Sequence, residues 1–282
     1  MATVVQTREI APKIVEMIVS APQVARKAQP GQFIVVMADA TGERIPLTIA
    51  DFDRTAGTLT LVVAVVGTSS MKIAQLPPGT ALHALIGPLG VASEVERLGT
   101  VVLVAGGVGT APVYPIARAL HELGNQVVTI QGARTAELVF WADRLAAISH
   151  RHILMTDDGS AGRKGLVTEP LKELLEADAE KSIRRVYAIG PVVMMKFCAK
   201  TTQPFGVETI VSLNTIMIDG TGMCGGCRVE VGGQTKFTCV DGPEFDGHQV
   251  DWDLLMSRQQ AYKHHEACSL DRYVRESEMI VA

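Results

Sequence analysis

At 282 residues the chain is long enough for two or three domains, and its formal net charge of −4, with the two signs interspersed, leaves no basic face for nucleic acid. Apolar residues make up 47%, ample for buried cores, yet the best apolar run, Val101–Ala105, stops at Gly106, far short of a bilayer span. Met1–Ile10 lacks the apolar core of a secretion signal, and five cysteines, an odd number, argue for a reducing cytoplasm over a disulfide framework.

Residues 1–98 read as all-β. The runs Glu16–Val19, Gln32–Met37, Arg44–Ile49 and Gly57–Val66 are short and rich in β-branched residues. Turn-formers separate them at Pro30-Gly31, Asp39–Gly42, Asp51–Gly57 and Pro77–Gly79. Strands at this spacing predict a small antiparallel barrel. In Arg44-Ile45-Pro46-Leu47-Thr48, alternation sends Arg44, Pro46 and Thr48 to one face. Gly67-Thr68-Ser69-Ser70 lies at the start of a short helix expected over Ser70–Leu76, where small residues with free amides and hydroxyls suit an anion. Together these stretches suit an isoalloxazine ring and a diphosphate. Each alone also fits a plainer reading, an exposed strand arginine or an ordinary Ser/Thr cap.

Residues 99–213 have a different texture. Thr100–Ala105 is a continuous apolar run, as in a strand buried on both faces. Gly106-Gly107-Val108-Gly109-Thr110-Ala111-Pro112 follows, then a helix expected over Val113–Leu123 and a strand over Gln126–Gln131. Strand, glycine turn, helix and strand make a βαβ unit with a right-handed crossover, and a dinucleotide diphosphate would sit at such a turn. The turn is not a full G-x-G-x-x-G, so a tight strand-to-helix connection explains it as well. A helix is expected from Arg134 through Ile148 with Thr135 as its cap, then a strand over His152–Thr156 and a loop at Asp157-Asp158-Gly159-Ser160. A helix over Leu166–Glu176, a strand over Arg185–Ile189 ending in Gly190-Pro191, and a helix over Met194–Thr201 complete the segment. These loops would gather at one sheet edge as a cofactor crevice, and Cys198 reads as a core residue.

Residues 214–282 hold Asp219-Gly-Thr-Gly-Met-Cys224-Gly-Gly-Cys227 and then Cys239. Cys-x2-Cys with a third cysteine at a distance is metal-ligand spacing, and glycine lets backbone wrap a buried object. Asp219 stands where the plant-type Cys-x4-Cys-x2-Cys pattern has its first cysteine, which points to a [2Fe–2S] site with three thiolates and one carboxylate. A structural zinc would need a fourth ligand, with His248 the nearest; a redox disulfide would leave Cys239 unexplained; and Asp219 also fits an ordinary Asp-Gly turn. Gly232-Gly233 between Arg228–Val231 and Gln234–Thr238 signals a two-residue hairpin returning the chain to Cys239. Asp241–Val250 reads as a loop and Asp251–Lys263 as a helix capped by Asp251. His264, His265 and Cys268 read as a polar helix end, and Arg272–Ala282 as a frayed tail.

With these residues in view the chain resembles the ferredoxin–NADP⁺ reductase superfamily, through Arg44-x-Pro46-x-Thr48, Gly67-Thr68-Ser69-Ser70, Gly106-Gly107-x-Gly109-x-Ala111-Pro112 and Gly190-Pro191 in order. The cluster segment narrows the resemblance to the branch of dihydroorotate dehydrogenase electron-transfer subunits. Asp219 in the first slot, with Cys239-Val-Asp241-Gly-Pro243-Glu-Phe-Asp246-Gly, is similar instead to the small subunits of NADH-dependent reduced ferredoxin:NADP⁺ oxidoreductase and the related sulfide dehydrogenase β subunits. The resemblance implies three units: an FAD-binding barrel at 1–98, a parallel-sheet NAD(P)-binding domain at 99–213, and a [2Fe–2S] segment at 214–282. It implies FAD, NAD(H) and a larger partner with flavin and [4Fe–4S] clusters, with electron bifurcation in the complex. Carried over residue by residue, Arg44, Pro46, Leu47, Thr48 and Val63 would line the flavin. Gly67, Thr68 and Ser69 would meet its diphosphate. Gly106, Gly107, Gly109, Thr110, Asp157, Gly190 and Pro191 would surround NAD(H), and Asp219, Cys224, Cys227 and Cys239 would hold the cluster. The expected activity converts two-electron exchange with NAD(H) into single-electron transfer. A sulfide dehydrogenase subunit, a dihydroorotate dehydrogenase partner and a relay that never meets NAD(H) are the alternatives. Arg134, where an acidic residue would mark a free ribose hydroxyl, leaves NADH against NADPH open.

Overall fold

The computed structural model describes the backbone of residues 2–281 and the side chains of residues 2–275. The first part runs β1 (Thr3–Ala11), β2 (Ile14–Ser20), α1 (Pro22–Lys27), β3 (Phe33–Met37), β4 (Ile45–Thr48), β5 (Asp51–Asp53), β6 (Thr58–Ala64), α2 (Thr68–Ala74) and β7 (Ala84–Leu89). Its strands form two antiparallel sheets, β1-β2-β6-β5 and β4-β3-β7. Met17, Val19, Leu59, Leu61 and Val63 of the first sheet meet Ile34 and Val36 of the second in one core. Two corners stitch the sheets together. Ile49 N–H donates to Gln32 O and the next residue, Ala50, to Thr60 O; likewise Leu82 N–H donates to Ala2 O and His83 to Met37 O.

Several elements escape the sequence reading for identifiable reasons. Register shifts in β1 at Val4/Gln6 and Glu9/Ala11 break its alternation. Pro88 sits in β7, an edge strand, where a missing N–H is tolerated. Asp51–Asp53, expected as part of a turn, is the short strand β5 paired to Thr58–Thr60.

The second part runs β8 (Thr100–Gly106), α3 (Thr110–Glu122), β9 (Gln126–Ala133), α4 (Ala142–Ala147), β10 (Arg151–Thr156), β11 (Arg163–Lys164), α5 (Thr168–Ala177), β12 (Ile183–Ile189), α6 (Val192–Thr202) and β13 (Glu208–Ser212). The strands lie parallel in the order β11-β10-β9-β8-β12-β13. In β8, Val101, Leu103 and Ala105 pack under α3, while Val102 and Val104 pack under α5 and α6. Burial on both faces explains the unbroken apolar run. Cys198 is fully buried, which pushes its thiol up to about 12, as a core cysteine requires.

The helix expected from Arg134 through Ile148 is instead a single 3-10 turn at Ala136–Leu138 followed by α4. Thr135 makes no cap. Trp141 is left-handed (φ 56°), with its ring edge-on to Tyr114 and Phe140 and its Nε1–H donating to Glu16 at 2.9 Å. Arg118 and Arg144 both donate to Asp51, at 2.6 and 2.8 Å. These contacts fix the second part against the first and override the local helical preference.

The remainder runs β14 (Arg228–Val231), β15 (Gln234–Phe237), α7 (Thr238–Asp241), β16 (Glu244–Asp246), α8 (Trp252–Gln259) and α9 (Lys263–Val281). Gly232 and Gly233, at φ 59° and 72°, turn the expected hairpin. Asp251 caps α8, accepting from Leu254 N–H at 3.0 Å. Two expectations are corrected. The Asp241–Val250 loop contains β16, which adds antiparallel to β13, and the expected frayed tail is helical through Val281 and packs on α2. Among the described residues no helix is long and apolar enough to cross a membrane.

Candidate functional site

The site is organised by the two faces of β3. Ile34 and Val36 enter the core of the first part, while Phe33 and Val35 face the other way, onto Met217, Cys227, Cys239, Leu89 and Phe237. β4 pairs in register, Thr48 opposite Phe33 and Pro46 opposite Val35. Residues directly opposite share a face, so Pro46 and Thr48 lie beside the bed that supports the two buried cysteines. Arg44 precedes β4 and is exposed. Of the other two expected flavin residues, Leu47 packs its side chain toward the core and Val63 is fully buried in it.

The Gly67–Ser70 turn is locked by Ser70. Its hydroxyl oxygen accepts from the N–H of Val66 and of Gly67, both at 3.0 Å, and donates to Gly67 O at 2.9 Å. Thr68 and Ser69 are thereby turned outward. Thr68 Oγ1 lies 3.1 Å from Ser269 Oγ, and Ser69 donates to Glu43 at 2.8 Å.

At the dinucleotide crevice the strand order reverses between β8 and β12, the place where open α/β sheets bind ligands. A Cβ on Gly109 would meet Ile189 O at 2.1 Å, and one on Gly190 would meet Gly106 Cα at 3.0 Å, so backbone packs on backbone here. Gly107, at φ 54°, has nothing within 4 Å of that position and opens to the crevice. Gly190 is half-buried; Pro191 and Asp157 are exposed beyond the ends of β12 and β10, with β8 and β9 between them, and Asp157 N–H donates to Ala133 O at 3.1 Å. Thr110 is 1% exposed, its hydroxyl accepts from Gln131 Nε2 at 3.2 Å and its N–H donates to Gly107 O, so its side chain braces the turn from behind.

In the cysteine segment, Cys227 and Cys239 are buried with their sulfurs 3.2 Å apart, and Cys239 N–H points at Cys227 Sγ at 3.5 Å. Gly226 N–H points at Cys224 Sγ at 3.4 Å. Cys224 is exposed, and Asp219 accepts from Thr221 N–H at 2.9 Å and Cys224 N–H at 2.8 Å, bonds that hold its carboxyl below the usual range. Among the described residues no three such side chains are already gathered as a metal site. The donor set fits an iron–sulfur cluster nonetheless. Burial, reinforced by Cys227, raises the Cys239 thiol, and bound iron is what would hold it as thiolate. Amides aimed at two sulfurs, and left-handed glycines at 220, 222 and 225, make a wrapping loop. His248 is 2.9 Å from Thr202 Oγ1, committed away from the thiols, which removes the zinc alternative's nearest fourth ligand.

Sequence reasoning missed Phe33, Val35, Leu89 and Met217 as the bed of the cysteines. The available signal was the unbroken apolar run Phe33–Met37, which requires cover on both faces.

Comparison with known proteins gives the same picture. The iron–sulfur cluster binding domain of dihydroorotate dehydrogenase B matches residues 214–251, and an oxidoreductase NAD-binding domain matches residues 103–200. The dihydroorotate dehydrogenase B (NAD(+)) electron transfer subunit homolog of Thermotoga maritima is 46% identical over 272 residues, 96% of this chain and 95% of that one. The electron transfer subunit of Desulforamulus reducens dihydroorotate dehydrogenase B is 33% identical over 260 residues, 89% of this chain and 98% of that one. A solved structure of NADH-dependent reduced ferredoxin-NADP oxidoreductase, from a study of flavin-based electron bifurcation, matches with a TM-score of 0.91 at 44% identity, covering 97% of this chain and 98% of that one. The chain belongs to the family of dihydroorotate dehydrogenase B-type electron transfer subunits, oxidoreductase subunits with NAD-binding and iron–sulfur-binding domains.

Proposed function

We propose that the chain passes electrons between NAD(H), FAD and a [2Fe–2S] cluster, to or from a larger flavin and [4Fe–4S] partner subunit in a bifurcating ferredoxin:NADP⁺ oxidoreductase. When bound, the flavin links two-electron hydride exchange to the one-electron chemistry of a cluster. The observation that carries the reading is the shared sheet face. Pro46 and Thr48, proposed against the flavin, are the direct cross-strand neighbours of Val35 and Phe33, which support Cys227 and Cys239. The chain thus offers its flavin bench and its cluster bed side by side.

In this reading residues 1–98 are a closed flavin-binding barrel, 99–213 bind the dinucleotide and 214–282 hold the cluster. Arg44 places a permanent positive charge by the flavin, favouring its anionic reduced form. The Gly67-Thr68-Ser69 turn, held by Ser70, meets the flavin diphosphate. Gly107, with Gly106, Gly109, Gly190 and Pro191 beside it, lets the dinucleotide approach the backbone at the β8/β12 reversal, and Asp157 stands further along the same sheet edge, after β10. Asp219, Cys224, Cys227 and Cys239 hold the cluster, and the carboxylate's harder oxygen donor should make its potential pH-sensitive. No side chain need move a proton, because hydride transfer demands alignment. A cytoplasmic location is part of this reading, supported by the odd number of cysteines, five, which suits a reducing compartment.

The test is anaerobic purification with iron, sulfide and flavin assays, EPR, and NADH oxidation with an artificial acceptor. One FAD, a [2Fe–2S] signal and NADH turnover are expected; zinc without flavin would sink the reading. The family match over 214–251 favours a second reading, a dihydroorotate dehydrogenase partner. Dihydroorotate oxidation by the purified complex would establish it.

A further inference from the structure

The C-terminal helix is unused by the function described so far. α9 leaves the cluster segment and returns to the first part, where it packs on α2. From Lys263 to Arg275 only Leu270 and Tyr273 are half-buried, and the other side chains are exposed. Specific contacts tie this stretch to α2 and the turn before it. Ser269 Oγ lies 3.1 Å from Thr68 Oγ1, and Lys72 Nζ, held by Asp39 at 3.0 Å, lies 5.6 Å from the centre of the Tyr273 ring.

The first of these contacts falls on the turn that presents Thr68 and Ser69. Two facing hydroxyls own two protons, and their mutual hydrogen bond uses one. The other remains for an acceptor that both oxygens can reach. A phosphate oxygen carries charge and takes several donors, and hydrogen bonds to it are about twice as strong as neutral ones. Resting on the flavin reading above, we propose that α9 straps the FAD diphosphate against the Gly67–Ser69 turn, with Ser269 as a donor from the strap and Tyr273 on Lys72 as its anchor. The ligand adds a contact to those that hold α9 on α2, so bound FAD and a closed α9 stabilise each other. Flavin release then requires α9 to lift.

The experiment uses the full chain loaded with FAD. Release is followed by recovery of free-flavin fluorescence after dilution, and affinity by quenching titrations with FAD and with riboflavin, which lacks phosphate. Losing one hydrogen bond to a charged oxygen is expected to weaken FAD binding about tenfold in Ser269→Ala, with riboflavin affinity unchanged. Tyr273→Ala should speed FAD release similarly by freeing the strap, and Ser269→Asp, which opposes the diphosphate charge, should exceed both. The iron–sulfur absorbance of each variant confirms that the rest of the chain is intact. FAD affinity and release unchanged in Ser269→Ala and Tyr273→Ala would overturn the proposal, as would tighter FAD binding in Tyr273→Ala, which would make α9 a competitor for the site. Equal losses for FAD and riboflavin would also overturn it, since the diphosphate contact would then be absent. A wild-type chain that binds no flavin would instead refute the flavin reading itself.

Discussion

Gly109 and Gly107 stand two residues apart in one turn, and replacing each by alanine should separate packing from ligand approach. At Gly109 the new methyl would sit 2.1 Å from Ile189 O, 2.6 Å from its carbonyl carbon and 2.9 Å from Gly190 Cα. All three are backbone atoms of the neighbouring strand end, so no side chain can swing aside. Either the turn or the end of β12 must retreat by about 1 Å, and overpacking of that kind costs about 1–3 kcal/mol. A 1 Å misplacement in a binding turn is worth on the order of a hundredfold. At Gly107 nothing lies within 4 Å, and the cost is the left-handed backbone at φ 54°, about 1 kcal/mol. Thermal unfolding without nucleotide and NADH titration distinguish the two. Gly109→Ala should lower the melting midpoint by roughly 2–4 °C for each kcal/mol and lose NADH affinity. Gly107→Ala should melt within about 4 °C of wild type, by the same scaling, yet still lose NADH affinity, because its methyl enters the crevice. A Gly109→Ala chain with wild-type melting and wild-type NADH affinity would refute the backbone-on-backbone account of the β8/β12 reversal.

Asp219→Ala should shift or abolish the [2Fe–2S] EPR signal; an unchanged signal would leave Asp219 as the turn residue that its bonds to Thr221 and Cys224 already make it. Asp51→Ala removes the carboxylate that Arg118 and Arg144, both partly buried, share, and should lower stability by about 1–2 kcal/mol in urea unfolding; a midpoint shift within error would show the pair to be surface-like. Burial pushes Glu244 from 4.5 up to about 7, against the Ser93 hydrogen bond and the Arg185 charge that pull it down. The folded chain then holds a proton that the unfolded chain releases, so stability falls as pH rises from about 4.5 to 7, by up to about 3 kcal/mol, and stays lower above. Glu244→Gln should therefore raise the melting midpoint relative to wild type at pH 8 and change it little at pH 5; equal shifts at both pH values would contradict this.

Local chemistry made much of this legible from residues alone. Two-sided burial of Thr100–Gly106, the left-handed pair Gly232-Gly233, the Asp251 cap and the buried Cys198 each follow from short-range rules, and each is present. Leu47 and Val63 are assigned to the flavin by resemblance, and alternation on β4 and β6 turns both side chains inward. Thr110 carries a hydroxyl in a binding motif, and Gln131, twenty-one residues away, donates to it.

What the sequence by itself determined was the identity of the segments: β-rich, βαβ and cysteine-bearing, because period, turn residues and ligand spacing act within a few residues. Tertiary structure alone decided their arrangement. Trp141 broke a helix to reach Glu16, β16 left the cysteine segment to pair with β13, and α9 crossed back to α2. The two faces of β3 then joined the core of the first part to the bed of the buried cysteines. Those outcomes rest on contacts between residues tens to hundreds of positions apart, whose strength depends on mutual burial and hydrogen bonding that no local window contains.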